Sequence, residues 1–168
     1  MDAELVALSA EVGRAALAAK TRIATAESCT GGWAAQVITH TAGSSDWFDC
    51  GLVTYSNEAK IALLDVNTVT LQCFGAVSVE TAAEMAAGAI QRSRAGLALS
   101  ITGIAGPGGG SSGKPVGTVC FGWCVRGMSP TTDLQVFQGD REAVRRQAVI
   151  HALNGTIARL AALANSVP

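Results

Sequence analysis

Ser28 lies in the run TAESCTGG, residues 25–32, where a strand-like segment gives way to a helical one. In open α/β sheets, functional sites gather at the carboxyl ends of strands, and the start of a helix offers N–H groups that bind an anion or an oxyanion. A serine at this junction is well placed to act as a nucleophile. The competing interpretation is that Ser28 or Thr30 only caps the helix. The run is not the G-x-S-x-G nucleophile elbow, because Ala26 and Thr30 replace its glycines.

A serine nucleophile needs a base that takes its proton. The chain has only two histidines, His40 in a loop and His151 in the last helical segment, and neither has a local pattern that supports a triad. Tyr55 and Lys60, just past the second strand-like segment, are better candidates. Their Tyr-x4-Lys spacing and the missing G-x-G-x-x-G disfavour a nicotinamide oxidoreductase. The alternative for Lys60 is a solvated place on a helix face, where most lysines lie.

A glycine-rich loop covers residues 103–114, directly after an apolar strand that leads to Thr102. Residues 108–114 nearly match a P-loop, but Pro115 stands where the magnesium-binding Ser or Thr would be, and a strand follows. We therefore exclude an ATPase. Glycine N–H groups can still hold a phosphate without a metal, although part of this loop can also be a mobile hairpin. Thr102 is the stronger active-site candidate because it directly follows a strand.

Arg141 falls in the first turn of the last predicted helix. A cation at that end opposes the helix dipole, so another benefit should favour it, and phosphate binding is a reasonable one. Arg145 lies one turn further along. The alternative is that both are ordinary surface arginines, and the residues alone leave this open.

A scaffold must bring these strand ends together. Hydrophobic periodicity and turn signals predict alternating elements, with helix caps at Asn57, Ser78 and Asp140 and no clear prediction for residues 65–76. Alternation at the start and a late hairpin indicate a mixed sheet with helices on both faces, in one domain over residues 1–168. The predicted helices cover residues 3–20, 30–39, 57–64, 79–94 and 141–163, and the predicted strands cover residues 21–26, 47–55, 97–101, 116–125 and 132–137.

Composition narrows the classes of function. The 168 residues, 49% of them hydrophobic, suffice for a folded core, and abundant alanine and glycine predict tightly packed layers. A net charge of −1 without a basic stripe argues against nucleic acid and membrane partners. No apolar run is long enough for a membrane span, and the acidic start does not fit a signal peptide. The alanine-rich helices favour a homodimer.

Five cysteines occur without a CxxC pair, which argues against a zinc site and fits a reducing cytoplasm. Cys120 and Cys124 are four residues apart in a strand-like run, so we expect them to share a face in the core. We therefore expect a cytoplasmic protein.

Several short runs together resemble the C-terminal domain of the competence-damage-inducible protein family, the nicotinamide-nucleotide amidases. Each run is weak alone, but the set is specific and occurs in order from residue 25 to about residue 145. The chain resembles the stand-alone form, without the large molybdopterin-binding-like domain of many members. Residues 40–43 and the Gly-Ser-rich residues 109–113 depart mildly from the family pattern. The matching runs are residues 25–32, 51–57 (GLVTYSN) with Lys60, 75–78 (GAVS) with Ala82, 85–86 (MA), 102–107 (TGIAGP), 114–118 (KPVGT) and 139–141 (GDR).

The resemblance implies a three-layer α/β/α sandwich with a mixed sheet. It also implies hydrolysis of nicotinamide mononucleotide to nicotinate mononucleotide and ammonia in pyridine nucleotide recycling, without a metal or other cofactor. The family's catalytic serine, tyrosine, lysine and threonine correspond to Ser28, Tyr55, Lys60 and Thr102.

The resulting hypothesis is acyl transfer at the carboxamide. Ser28 attacks the carbon, and Lys60, directly or through Tyr55, removes the serine proton, for which burial would have to lower the lysine pKa. Thr102 orients the serine or the amide. Attack by a water that the same residues activate stays open. The predicted substrate-binding residues are Thr30 and Gly31 near the oxyanion, and Arg141 and loop glycines such as Gly103 at the 5′-phosphate.

Two other functions stay open from the sequence. One is a nucleotide-binding or interaction module with weak or lost catalysis, linked to competence or DNA repair. The other is hydrolysis of a different amide. The four candidate catalytic residues argue against the first, and an assay is needed to separate the second.

Overall fold

The computed structural model describes residues 1–165, and residues 166–168 of the predicted domain lie outside the described residues. Strands and helices alternate over the first half, as predicted. In chain order the elements are α1 (Ala3–Ala18), β1 (Ile23–Glu27), α2 (Trp33–Ile38), a short 3₁₀ helix (Ser44–Asp46), β2 (Phe48–Val53), α3 (Asn57–Leu64), α4 (Thr68–Phe74), α5 (Val79–Gln91), β3 (Leu97–Gly103), β4 (Thr118–Val125), β5 (Thr131–Val136) and α6 (Arg141–Asn165).

The five strands form one sheet in the order β2-β1-β3-β4-β5. β1 runs parallel to β2 and β3, whereas β4 is antiparallel to β3 and to β5. The predicted mixed sheet is confirmed. Because β1, β2 and β3 are parallel, their carboxyl ends meet at the same edge, where the runs that begin at Ser28, Thr54 and Ile104 leave the sheet.

Alternating side chains of the sheet enter two separate cores. On β3, Leu97, Leu99 and Ile101 pack with residues of α1, α2 and α6, whereas Ala98 packs with residues of α3, α4 and α5. Strand side chains point to opposite faces in turn, so each face needs its own layer of helices. The predicted three-layer α/β/α sandwich is confirmed.

Small residues bring the layers close together. A Cβ atom at Gly122 on β4 would overlap the carbonyl oxygen of Ala82 on α5, so only glycine permits this approach. The same carbonyl accepts a hydrogen bond from Ser100 Oγ on β3 at 2.6 Å. The prediction of tight layers is confirmed at this contact.

Helix caps agree with the sequence prediction at two of three positions. Ser78 Oγ accepts a hydrogen bond from the Thr81 N–H, and Asp140 Oδ1 accepts one from the Ala143 N–H. The predicted cap at Asn57 is wrong, because Ser56 Oγ accepts from the Ala59 N–H and Asn57 is the first helical residue. Ser56 has the extended backbone that a capping residue needs. The unassigned residues 65–76 contain α4.

All five cysteines are free thiols, and Cys120 and Cys124 are buried as predicted. Burial raises the pKa of Cys120 to about 11, so this thiol stays protonated at neutral pH. Within residues 1–165, no helix combines the length and the apolar character that crossing a membrane requires.

Candidate active site

Ser28 and Lys60 are in direct contact at the carboxyl edge of the sheet. Lys60 Nζ lies 3.1 Å from Ser28 Oγ and 2.9 Å from the carbonyl oxygen of Thr54. Lys60 is 1% exposed and Ser28 is 9% exposed. The interpretation of Lys60 as a solvated surface lysine is therefore wrong, and so is that of Ser28 as a simple helix cap. The pair has the geometry of a nucleophile beside its base.

Neighbouring strands place the two side chains. Ser28 follows β1, and its N–H donates to the carbonyl oxygen of Ile101 on β3 at 2.9 Å. The Thr54 N–H donates to the carbonyl oxygen of Glu27 at 2.8 Å, which extends the β1–β2 pairing to the last residues before α3. Lys60 lies in the first half of α3, so its side chain reaches back over the end of β1. The contact joins residues that are 32 positions apart.

Burial lowers the pKa of Lys60 from its ordinary value of 10.5, because the ammonium form loses solvation. The thiolate form of Cys29 would act in the opposite direction, but burial raises the pKa of that thiol to about 12, so it remains neutral. A lysine with a lowered pKa has a larger neutral fraction near pH 7, and only the neutral amine can accept the serine proton. The predicted effect of burial on Lys60 agrees in direction.

The carboxylate of Glu27 is fully buried and organises the turn that carries Ser28. It stands at the N-terminus of α2, where the helix dipole favours a negative charge. A carboxylate with several donors is held rigidly, so it fixes the path of the loop. The sequence prediction did not include Glu27, because a buried glutamate cannot be told from a surface one by type. It accepts hydrogen bonds at 2.7–3.2 Å from Thr25 Oγ1, Thr30 Oγ1 and the N–H groups of Gly32, Ala34 and Ala35.

We expect Glu27→Gln to lower the free energy of unfolding by about 2–4 kcal/mol, because the glutamine NH₂ group would face backbone donors and the charge would be lost. Urea unfolding measures the change. Glu11→Gln is the matched control, since Glu11 is exposed on α1, and it should change stability by less than about 0.5 kcal/mol. Equal effects of the two substitutions would contradict an organising role for the Glu27 carboxylate.

The donors available to an oxyanion differ from those we expected. The start of α2 offers fewer free N–H groups than predicted, because Glu27 accepts from them. The Gly31 N–H donates to the carbonyl oxygen of Ser28 at 3.0 Å. Within residues 1–165, the backbone N–H groups of Cys29 and Thr30 donate to no other residue, and the Cys29 N–H lies beside its own thiol; both groups directly follow Ser28. An oxyanion site near Thr30 stays a prediction, with the Cys29 N–H in place of that of Gly31.

Tyr55 and Arg141 contact each other at the rim of the site. Arg141 Nη2 donates to the Tyr55 hydroxyl oxygen at 2.9 Å, and Nη1 donates to the carbonyl oxygen of Gly106 at 2.8 Å. Tyr55 is 62% exposed. The option of proton transfer from Ser28 to Lys60 through Tyr55 is therefore not supported, because Lys60 contacts Ser28 directly and Tyr55 points to Arg141.

A cavity of about 620 Å³ lies between the N-terminal ends of α2 and α6. Residues 30–33 form one wall, and Arg141, Glu142 and Arg145 form the other. It therefore joins three of the predicted substrate-binding residues, Thr30, Gly31 and Arg141, beside the Ser28 turn. Within residues 1–165, no cluster of three or more His, Cys, Asp or Glu side chains could hold a metal ion.

Thr102 and Gly103 end β3 beside this edge. The Thr102 hydroxyl is 1% exposed and donates to the carbonyl oxygen of Ala76 at 2.8 Å, which ties β3 to the turn before α5. The expected contact of Thr102 with Ser28 is not present among the described hydrogen bonds. A Cβ atom at Gly103 would come within 2.8 Å of the Thr118 carbonyl oxygen, so close packing accounts for this glycine. Its role in substrate binding stays a prediction.

Comparison with known proteins assigns the family. The family model of the CinA C-terminal domain matches residues 5–160 of the chain. The chain belongs to the CinA C-terminal domain family. The family suggested by the sequence runs is thereby confirmed.

Relatives of this CinA domain are known in sequence and in structure. Nicotinamide-nucleotide amidohydrolase PncC of Escherichia coli (strain K12) is 54% identical over 152 residues, which are 90% of this chain and 92% of that protein. The crystal structure of the competence/damage inducible protein CihA from Agrobacterium tumefaciens has a TM-score of 0.89 and 42% identity, covering 94% of this chain and 96% of that one. A CinA superfamily protein from Klebsiella pneumoniae has a TM-score of 0.90 and 41% identity, covering 94% and 98%.

Arg145 is a further residue of this CinA domain that the sequence prediction assigned no site role. Its Nε donates to the carbonyl oxygen of Cys29 at 3.1 Å and its Nη2 to that of Thr30 at 2.9 Å. The guanidinium also lies over the Trp33 ring, 5.4 Å from the ring centroid. Arg145 thus holds carbonyl groups of the Ser28 turn, whereas Glu27 holds a hydroxyl and N–H groups of the same turn. Its place one turn beyond Arg141 was the only signal in the sequence.

Proposed function

We propose that this chain is a nicotinamide-nucleotide amidohydrolase, which converts nicotinamide mononucleotide and water to nicotinate mononucleotide and ammonia. The observation that carries the proposal is the buried contact of Lys60 Nζ with Ser28 Oγ at a strand end. It is supported by the 54% identity over most of the chain with a nicotinamide-nucleotide amidohydrolase. Hydrolysis of an amide needs a nucleophile, a base that later acts as an acid, and donors for the oxyanion. These groups lie together here.

In the first half of the reaction, neutral Lys60 takes the proton of Ser28 while Oγ attacks the carboxamide carbon. The negative charge that develops on the amide oxygen meets the N–H groups of Cys29 and Thr30, which donate to no other residue among residues 1–165. Lys60, now an ammonium, gives its proton to the amide nitrogen. The C–N bond breaks, ammonia leaves, and an ester of Ser28 with the nicotinate group remains.

In the second half, water adds to the ester carbon and Lys60 takes a proton from that water. Collapse of the second tetrahedral intermediate breaks the ester C–O bond, and the proton on Lys60 returns to Ser28 Oγ. Atoms and charges balance, and both catalytic groups are regenerated. One buried lysine serves as base and acid in turn because its ammonium form is destabilised by burial.

The remainder of the nucleotide is placed in the cavity between α2 and α6. Arg141 reaches from this cavity to Tyr55 and Gly106 at the rim of the catalytic centre. A planar guanidinium is suited to a phosphate, so we place the 5′-phosphate at Arg141. Thr30 and Gly31 form the wall next to Ser28. Tyr55 keeps Arg141 in position, and Thr102 fixes the end of β3.

We expect Arg141→Gln to lower kcat/KM for nicotinamide mononucleotide by about 10-fold to 100-fold, the value of a charge-assisted hydrogen bond. With nicotinamide riboside, which has no phosphate, the loss should be small. Steady-state kinetics with both substrates measures the ratio of kcat/KM for the mononucleotide to kcat/KM for the riboside. Arg146→Gln is the matched control, since Arg146 pairs with Asp2 and Glu4 outside the cavity. If Arg141→Gln does not change this ratio, the phosphate is not bound at Arg141.

The direct test is incubation of the purified chain with nicotinamide mononucleotide without added divalent metal, followed by chromatography of the nucleotides and an ammonia assay. Equal amounts of nicotinate mononucleotide and ammonia are the expected products. No product at high protein concentration would reject the proposal and favour a nucleotide-binding module. Product from another amide but not from this one would reject only the substrate.

We also propose that the protein acts in the cytoplasm as a homodimer, with a small nucleotide and no nucleic acid as its partner. Five free thiols support a reducing compartment such as the cytoplasm, and the exposed apolar side chains of Val69 and Phe74 on α4 support an interface. Light scattering behind size exclusion measures the mass in solution. A single-chain mass at micromolar concentration would contradict the dimer.

A further inference from the structure

Thr54 carries a buried hydroxyl without a partner, next to the catalytic lysine. The side chain is 0% exposed. Among the described residues 1–165, Thr54 Oγ1 and Trp47 Nε1 are the buried side-chain N and O atoms that lack a hydrogen-bond partner. A buried polar group without a partner costs stability, so such a group in a folded protein calls for an explanation.

Lys60 has an N–H group that lacks an acceptor, as the Thr54 hydroxyl lacks a partner. An ammonium donates through three N–H groups, and a neutral amine keeps two N–H groups and one lone pair. Within residues 1–165, Nζ has two contacts, Ser28 Oγ and the carbonyl oxygen of Thr54. In the ammonium form, one N–H faces Ser28, a second faces the carbonyl oxygen, and the third has no acceptor. In the neutral form, the lone pair faces Ser28, one N–H faces the carbonyl oxygen, and the other N–H has no acceptor.

The two unpartnered groups belong to residues already in contact. The Thr54 carbonyl oxygen holds Nζ at 2.9 Å, and the hydroxyl of the same residue is only a few bonds from that carbonyl. A threonine hydroxyl moves between staggered positions by rotation about χ1, and it can accept a hydrogen bond in any of them. The Thr54 hydroxyl makes no hydrogen bond in the structure, and rotation about χ1 is the movement that brings it to the remaining N–H.

We propose that Thr54 is a positioning residue for the reaction, whose hydroxyl accepts the remaining N–H of Lys60 and turns the amine so that its lone pair faces Ser28. With the carbonyl as sole acceptor, the amine rotates about its Cε–Nζ bond and its lone pair is not directed. With both oxygens of Thr54 as acceptors, the direction is set. After proton transfer the same hydroxyl stabilises the ammonium that must later protonate the leaving nitrogen. The kinetic part rests on the proposed function, and the protonation part does not.

The first test is the protonation of Lys60 itself, which requires no turnover. The chain has three lysines, so ¹³Cε-lysine NMR resolves Lys60 from Lys20 and Lys114. The hydroxyl stabilises the ammonium, so Thr54→Val should move the Lys60 titration to lower pH, and Thr54→Ser should restore it. A titration that is the same in Thr54→Val and in the unmodified chain would overturn the proposal.

Neighbouring charges do not change in these variants, so a shift reports the hydroxyl. Burial lowers the pKa of Lys60, and Cys29 is the titratable group that acts on it most directly. A change at Thr54 alters none of the titratable side chains near Lys60. The titratable side chains on α3 and its C-cap, on the Ser28 turn and on α5 are Glu58, Asp65, Glu27, Cys29, Glu80 and Glu84.

The second test combines activity with stability. Valine has the shape of threonine without the hydroxyl, so Thr54→Val should keep a Tm close to that of the unmodified chain, while kcat/KM falls about tenfold or more. Thr54→Ser should recover most of that loss. The matched control is Thr156→Val, which removes a buried hydroxyl that donates to Ala152 on α6, far from the site, and should leave kcat/KM unchanged.

These outcomes separate the two proposals. If the unmodified chain does not hydrolyse nicotinamide mononucleotide but Thr54→Val still moves the Lys60 titration, the proposed function fails and the positioning role stands. If the unmodified chain is active and Thr54→Val keeps its kcat/KM and its titration, the hydroxyl is idle and the positioning role fails.

Discussion

Replacing Ser28 with alanine is expected to lower kcat/KM for nicotinamide mononucleotide by about 10³-fold or more, because the variant has no oxygen to attack the carboxamide. The fold should persist, since Ser28 contributes its N–H to the sheet and alanine keeps that group. Ammonia release measured over a range of substrate concentrations gives the loss in kcat/KM. Ser45→Ala is the matched control, because Ser45 is exposed in the 3₁₀ helix before β2.

The same variant tells the two forms of attack apart. An ester on Ser28 can be trapped by rapid acid quenching and detected as a mass increase of the intact chain. The mass should increase in the unmodified protein and stay constant in Ser28→Ala. If Ser28→Ala keeps near-normal turnover, a water that Lys60 activates is the nucleophile, and the Ser28 hydroxyl is dispensable.

Replacing Lys60 with methionine should abolish activity to a similar extent, about 10³-fold or more, because no group remains to take the serine proton. In contrast to the activity, the stability of the fold should not decrease. Methionine has a similar length and no charge to desolvate, so the free energy of unfolding should stay equal or rise by about 1 kcal/mol or more. Urea unfolding and kinetics on the same preparations measure both. Lys20→Met, on an exposed side chain after α1, should change neither. A large loss of stability in Lys60→Met would indicate that Lys60 is mainly structural.

The pH dependence of Lys60 has a defined sign. Its pKa in the folded protein is below the ordinary 10.5, so the unfolded chain binds this proton more readily. The stability that Lys60 contributes is therefore present above pH 10.5 and is lost as pH falls through its folded pKa. Activity follows the same proton, since kcat/KM should fall on the acid side as Lys60 becomes an ammonium. Lys60→Met should lack this component of the stability profile.

The local pattern was sufficient to place Ser28 at the end of a strand, because that signal lies in neighbouring residues. A strand of small and apolar residues, two glycines and a following helix occur within residues 23–38, so sequence alone indicates the strand end. Thr102 was placed at the end of β3 for the same reason. The layers followed from periodicity, since alternation on strands and recurrence on helices report which faces are buried.

Contacts across long sequence distances could not be predicted in this way. Glu27 was overlooked because only the fold turns its carboxylate onto the start of α2. Arg145 contacts carbonyl groups more than a hundred positions away in the chain. Transfer of the serine proton through Tyr55 was one of two options from the sequence, and the fold pairs the Tyr55 hydroxyl with Arg141. Each of these differences concerns the partner of a side chain rather than the element that carries it.

The sequence by itself determined the sandwich, the edge of the sheet that carries the site, and the residue types that meet there. It could do so because secondary structure and burial depend on nearby residues and on their periodicity. Only the tertiary structure decided that Lys60 contacts Ser28 directly and is buried, and that Thr54 supplies one acceptor and an unpartnered hydroxyl beside it. The reason is physical: a lysine becomes a base by losing solvent, and solvent is excluded only when the fold brings Lys60 of α3 to Ser28 and Thr54, which follow β1 and β2.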